Sequence, residues 1–390
     1  RNMELEIRDD VDVREIININ IKFLSFIGAI PPNLQLTKES LLRLIYITIT
    51  VSLFAGVTIA LIIDLMVSFN EDIKQIVTSA YISIAALFAF VKSSIVFGHR
   101  KRLMTLINTL NRKEYKPKNA HQREILKGYI KSAKIITITV LILISMCASF
   151  FLLYPLTVEG DLYLPLPSHL PFDTNRSPIF EIMYVGEIIG LLTTSLFNLG
   201  IDSLFATIFM IICAQLTLLN DSLANLDEDK KNQMNTNLIK CIEQHRSILE
   251  FSNEFQSMFS VVLFGQFAIS VLILCTTLFQ LSMVDKFDLS LVYLLIYQAC
   301  MITEIFLPCY FGNEVTLKHE QLKNSVYHCE WLDADRSFKR KMLFFMTKTQ
   351  NPYEIRPGGY VTLSNDTFVK ILKSSVSYYT ILTKITDKQN

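Results

Sequence analysis

Long apolar runs separated by short polar intervals set the plan of this chain. Leu44–Ile63 is twenty residues without a charge, about the length a helix needs to cross the hydrocarbon core of a bilayer. Similar runs occupy Gln75–Val91, ended by Lys92, and Ile135–Tyr154. A fourth begins near Ile179 and continues to about Leu219, and a fifth, Phe255–Val284, holds thirty uncharged residues. The sixth, Leu289–Phe311, is interrupted only by Glu304, and a weaker seventh lies at Thr367–Thr383. The pattern predicts an all-α protein with seven transmembrane helices.

The fourth and fifth runs are longer than a bilayer requires. Forty helical residues extend roughly 60 Å, against a core of about 30 Å. The surplus must leave the membrane, where it meets the polar stretch Asn220–Asn253 and the amphipathic stretch Val315–Leu332. In the latter, Leu322, Val326 and Cys329 share one face. A helical anchor bundle built from 203–258 and 314–350, where subunits could pack, is the expectation; a loosely ordered linker is the alternative.

Charge distribution predicts the orientation. Residues 98–134 carry eleven Lys and Arg, and residues 318–348 carry seven. The opposite loops are poor in them: 65–73 has none, 156–178 only Arg176, and 282–288 only Lys286. Basic loops resist translocation. The anchor bundle and the segment 1–40 are therefore expected in the cytoplasm, with the amino terminus cytoplasmic and the carboxy terminus extracellular. Lys384 and Lys388 run weakly against this. The mixed charges of 1–40 do not form a signal peptide. The loop 156–178 contains Pro165, Pro167, Pro171 and Pro178, which predicts an irregular lid. It also holds a glycosylation acceptor pattern at Asn175, disfavoured by Pro178, and a second at Asn365 is expected on the cytoplasmic side.

Composition narrows the chemistry. The chain has 390 residues, 51% of them hydrophobic, and seven cysteines that all fall in apolar or cytoplasmic segments. No extracellular disulfide framework is expected. The six histidines are scattered without ligating spacing, and neither a Gly-rich phosphate loop nor a nucleophile constellation is present. An enzyme, a cofactor, a metal site and a nucleic-acid partner are all unexpected.

The last helix, within 360–386, carries Asp366, Lys370, Lys373, Ser377, Thr380 and Lys384 at spacings that form one polar stripe. Such a stripe should face protein or water. With Ile381 and Ile385 nearly alongside, it suits either a pore liner with a hydrophobic gate or a short helix packed on the bundle. One stripe cannot enclose a pore, so the first reading requires several copies around an axis. The membrane region 41–313 presents Tyr81, Phe150, Tyr154, Tyr184, Tyr293 and Tyr297 in the outer halves of its helices. These suit a pocket for a small, mostly apolar ligand, or plain packing. Lys92, Glu181, Glu187, Asp202 and Glu304 lie within or near the spans, and an ion pair explains Lys92, Asp202 and Glu304 as well as an ion route does.

The carboxy-terminal third carries a specific order of motifs: FLPCYFGNEVT at Phe306–Thr316, SVYHCEWLD at Ser325–Asp333, FKRKMLFFMTKTQNP at Phe338–Pro352, and RPGGYVTLSNDTFVKILKSSVSYYTILTKI at Arg356–Ile385. This text resembles the insect odorant receptor family. The resemblance implies a tetrameric, odorant-gated, non-selective cation channel in which a variable ligand-binding subunit joins a common co-receptor at a sensory neuron's plasma membrane. It implies that the last helix lines the pore at Lys373, Ser377 and Lys384, with Ile381 and Ile385 as the gate. It implies an outer pocket at Thr78, Tyr81, Ile82, Met146, Phe150, Tyr154, Tyr184, Ile188, Tyr293 and Tyr297. The co-receptor carries a long insertion in its second cytoplasmic loop and an uncharged polar residue where Lys384 stands. Asn220–Asn253 is short, so the resemblance implies a tuning subunit. A G-protein-coupled receptor fits poorly with a cytoplasmic amino terminus and no N-P-x-x-Y in the last span, and a transporter fits poorly with the absence of repeated halves.

Overall fold

The computed structural model describes residues 11–30, 41–69, 73–157, 166, 179–226, 231–284, 289–329 and 331–389. Side chains at 151–157 and 386–389 lie outside that description. The described chain is all-helical: α1 Glu15–Phe26, α2 Leu41–Ser68, α3 Ile73–Thr109, α4 Ala120–Thr157, α5 Ile179–Ala224, α6 Lys231–Ser282, α7 Leu289–Tyr327, α8 Arg336–Lys348 and α9 Asn365–Gln389. Helices α2 to α7 are each long and apolar enough to cross a membrane. Helix α9, with 25 residues, is long enough at about 1.5 Å per residue but more polar. It supplies the seventh predicted crossing.

The two overlong helices are continuous. Helix α5 runs 46 residues and α6 runs 52, so each reaches roughly 70–80 Å. The polar stretch before Phe255 is thus largely the first half of α6. Helix α7 likewise joins the sixth apolar run to the amphipathic stretch, passing through Pro308. Its far end buries Leu322 and Val326. The segment read as a basic loop contains α8, which starts at Asp335: that carboxylate accepts from the Phe338 amide at 2.8 Å. Phe338, Met342 and Phe345 form its buried face.

These extensions, with α1, form a dense basal bundle beyond the apolar portions. Helix α1 lies on α5 and α4. Its Asn20 is fully buried and satisfied: the side chain donates to Thr207 Oγ1 at 3.0 Å and accepts from Ser203 Oγ at 2.9 Å. Helix α9 packs on α6 and α7, burying Ile371 and Ser375. It is reached through a turn in which Gly358 and Gly359 take φ of 62° and 79°, the left-handed region that glycine enters without steric cost. Gly312 on α7 lets Leu363 approach so closely that an added Cβ would lie 2.3 Å from it. The predicted lid at 156–178 begins on the last two residues of α4; of the rest, Leu166 alone is among the described residues, and Asn175 is not.

Candidate functional site

Two polar to semi-polar layers interrupt the apolar packing between α2, α3, α4, α5 and α7. The lower layer is ionic. Lys92 on α3 is 1% exposed, and its ammonium donates to both oxygens of Asp202 on α5 at 2.8 Å. It also donates to Glu304 Oε1 on α7 at 3.1 Å and to Gln266 Oε1 on α6 at 3.2 Å. The Gln266 amide donates in turn to Glu304. An isolated buried ammonium would be prohibitively costly; here three other helices supply its partners. These groups are 92, 202, 266 and 304 in sequence, so no local spacing announces the cluster. The ion-pair reading of Lys92, Asp202 and Glu304 is the one the geometry displays.

Directly above lies a cavity of about 90 Å³. Helix α2 contributes Val57 and Leu61, α3 contributes Ile82, Ala85, Ala86 and Ala89, and α4 contributes Ile144, Cys147 and Ala148. Helix α5 contributes Leu191, Thr194, Ser195, Asn198 and Leu199, and α7 contributes Tyr293, Tyr297, Cys300 and Met301. Alanines on α3 leave the space that larger side chains would fill. Tyr81 packs edge-on against Tyr297, with ring centroids 5.4 Å apart, and Tyr293 lies 6.1 Å from Tyr297. Leu166, from the predicted lid, is buried in the same apolar cluster, and its amide donates to Glu187 Oε2 at 3.1 Å.

Asn198 joins the two layers. Its Nδ2 donates to Glu304 Oε1 at 3.2 Å, and its side chain borders the cavity. Its Oδ1 is buried and has no hydrogen-bond partner among the described residues; the same holds for the Tyr297 hydroxyl.

The predicted pocket residues divide into groups. Ile82, Tyr293 and Tyr297 line the cavity, and Tyr81 stands behind Tyr297. Phe150 is half-buried and touches the cluster around Tyr81, but it also borders, with Met146, a shallow groove on the outer side of α4. Met146 is 44% exposed. Thr78 is exposed at its Gln280 contact, and Tyr184 and Ile188 are half-buried outside the cavity lining, Tyr184 with Phe180 at 5.9 Å. The side chain of Tyr154 lies outside the described residues. The contributions of α2 and the Thr194–Leu199 segment were not anticipated. Small and apolar residues there carry no signal of their own, because only the tertiary arrangement shows which of them border a void.

On α9, Lys373, Ser377, Ile381, Lys384 and Ile385 are all exposed, with Lys373 and Lys384 on the side opposite the buried Ile371 and Ser375. The Ser377 hydroxyl donates back to the Lys373 carbonyl at 2.9 Å. Two histidines read as scattered are in fact paired in the basal bundle. His245 on α6 and His319 on α7 lie with Nε2 atoms 2.9 Å apart, His245 edge-on to Phe345. Both residues fall outside the apolar spans, and burial pushes each down to about 4. They are neutral at physiological pH, one ring donating to the other. No cluster of three or more metal-ligating side chains occurs among the described residues, and the described cysteines are unbridged.

Comparison with known proteins agrees with this architecture. The family model described as "7tm Odorant receptor" matches residues 72–376. Odorant receptor 10 of Aedes albopictus is 23% identical over 80% of this chain and 85% of its own length. Odorant receptor 46a, isoform A, of Drosophila melanogaster is 25% identical over 77% and 82%. Among solved structures, the insect olfactory receptor OR5 from Machilis hrabei in complex with eugenol superposes with a TM-score of 0.86, covering 96% of this chain and 98% of that one at 20% identity; this last likeness concerns the fold. Neither rival reading, a G-protein-coupled receptor or a transporter, is favoured beside a family match over most of the chain. The chain belongs to the seven-transmembrane odorant receptor family: it is a multi-pass membrane protein, an odorant-binding subunit of an odorant-receptor ion channel, and not an enzyme.

Proposed function

We propose that this chain is the tuning subunit of a heteromeric, non-selective cation channel at the plasma membrane of a sensory neuron. It takes a small, mostly apolar odorant in the cavity between α2, α3, α4, α5 and α7, and contributes α9 to a pore shared with co-receptor subunits. The observation that carries this reading is the cavity itself: an aromatic and aliphatic chamber with few polar atoms, enclosed within the helices. The solved neighbour in complex with eugenol supports a ligand of that kind. The exposed stripe of α9 supports a second role. Lys373, Ser377 and Lys384 on a helix otherwise packed against its own bundle are costly toward lipid and acceptable toward water or neighbouring copies. Ile381 and Ile385, 53% and 46% exposed, would meet their counterparts at a constriction. The basic loops support a cytoplasmic basal bundle, which then serves as the anchor between subunits.

The test is co-expression with an odorant co-receptor and current recording against an odorant panel. Odorant-evoked cation currents that require both subunits are expected. Ala85→Phe, which fills the cavity, should abolish the response while surface assembly persists. Undiminished currents from that variant would remove the cavity as the ligand site.

A further inference from the structure

The cavity's polar atoms are few, and their chemistry is fixed by what lies beneath. Glu304 Oε1 receives Lys92, Gln266 and Asn198 together. A carboxylate only accepts hydrogen bonds, so the Asn198 amide must turn its NH₂ toward Glu304. The reverse amide orientation would set oxygen against oxygen. Its carbonyl oxygen is thereby held away from Glu304, buried and unpaired. An unmet buried acceptor costs roughly 1–3 kcal/mol. A ligand with a donor recovers that cost, and one without a donor does not.

Resting on the proposed ligand site, we infer that the ligand class of this receptor is a small neutral compound carrying a hydroxyl group, whose O–H donates to Asn198 Oδ1. Tyr297, which also lines the cavity, carries a second buried hydroxyl without a hydrogen-bond partner among the described residues. A hydroxyl is the smallest group that answers both, donating one bond and accepting another. An ether or ketone only accepts and leaves Asn198 unmet. An ammonium or carboxylate brings an ion into a chamber lined mainly by aliphatic and aromatic groups, where the Glu304 oxygen beside Asn198 already has three donors. Size limits the rest of the molecule. A cavity of about 150 Å³ accommodates the six carbons of benzene, so about 90 Å³ suits a compound of about four heavy atoms.

The experiment uses the full chain with a co-receptor. Dose–response currents are recorded for 1-propanol, its isomer ethyl methyl ether, and 1-propylamine. The alcohol is expected to act at about tenfold lower concentration than either, the ratio an unmet buried acceptor implies. In Asn198→Leu the alcohol-to-ether ratio should fall to about one. Equal potency of alcohol and ether in the native chain, or a preference for the amine, overturns the inference. So does a tenfold alcohol preference that survives in Asn198→Leu. The native comparison needs no variant, so it decides the matter even where Asn198→Leu fails to reach the membrane. Failure of the underlying site looks different: Ala85→Phe would then leave responses to all three compounds unchanged.

Discussion

Helices α5 and α7 pass through two regions that are packed by opposite rules. In the basal half, consecutive residues of α5 from Leu199 to Leu216 are all buried, because α1, α4, α6 and α7 surround it. Most polar groups there are answered: Asn20 by Ser203 and Thr207, Gln122 by Asp221 and Ser222, and Asn220 by the Lys318 carbonyl at 2.9 Å. In the outer half the same helices leave a cavity lined by Asn198 and Tyr297, each of which keeps one buried polar atom without a partner among the described residues. Saturated packing gives one stable arrangement, and an underfilled, underbonded chamber gives a place that another molecule can complete. The Lys92 cluster is the boundary between them, and it joins the four helices whose relative positions both halves share.

Breaking that boundary should have the largest effect. Lys92→Met removes the cation that Asp202, Gln266 and Glu304 share and leaves two buried carboxylates without it. Orphaning a buried ionic partner costs about 3–5 kcal/mol. The expected outcome is loss of folded receptor, read as retention inside the cell and a lowered melting temperature in detergent. A Lys92→Met chain that reaches the surface normally would show that the two halves do not depend on this layer.

Acid should distinguish the halves next. His245 and His319 titrate about 4, below the ordinary histidine value of 6.5, because burial disfavours the imidazolium. A depressed histidine contributes stability that is complete above the unfolded value and is lost as pH falls toward the folded one. The basal bundle should therefore weaken between pH 6.5 and about 4, by up to about 3 kcal/mol for each ring. His319→Gln should flatten that pH dependence in thermal melts. Identical acid sensitivity in the variant would exclude the pair as its source.

A smaller change should separate packing from recognition in the outer half. Tyr81→Phe keeps the ring that packs edge-on to Tyr297 and deletes only the hydroxyl. Tyr81 stands behind the cavity wall, so the lost hydroxyl acts through the placement of Tyr293 and Tyr297. One hydrogen bond is worth about 1 kcal/mol, so odorant potency should shift by at most about fivefold with surface level unchanged. A fall in surface level without a potency shift would make Tyr81 a core residue of the helix bundle alone.

The sequence conveyed these regions unequally, for a physical reason. Helices announce themselves through long apolar runs, so α2 to α7 are legible, and so is the buried face at Leu322 and Val326 of α7, with Cys329 just beyond its end. Motif order revealed the family from Phe306 onward. Continuity was less legible: α6 hides its first half in polar residues such as Gln233, Asn235 and Asn237, whose helical state is decided by packing against neighbours rather than by hydropathy. The least legible features are contacts between distant residues. His245 meets His319, and Asn198 meets Glu304, only because two helices cross at that height. A cavity is harder still, since Ala86 and Ala89 matter there by what they fail to fill.

The exposed face of α9 belongs to neither region, and Lys384 probes it with the smallest effect on the fold. Lys384 is exposed and α9 is held by its opposite face, so Lys384→Gln should leave stability within about 0.5 kcal/mol of native. On the proposed reading its ammonium stands at the mouth of a cation pathway, where it repels the permeating ion. Removing it should raise single-channel conductance a few-fold at low ionic strength. Salt screens exposed charges over about 8 Å at physiological strength and about 3 Å at 1 M, so the gain should shrink as the bath salt rises. That salt dependence separates an electrostatic role from a steric one, because a side chain that merely narrows the path would alter conductance equally at every salt concentration. Unchanged conductance at low salt would take Lys384 out of the pathway and leave the polar stripe of α9 to contacts between subunits.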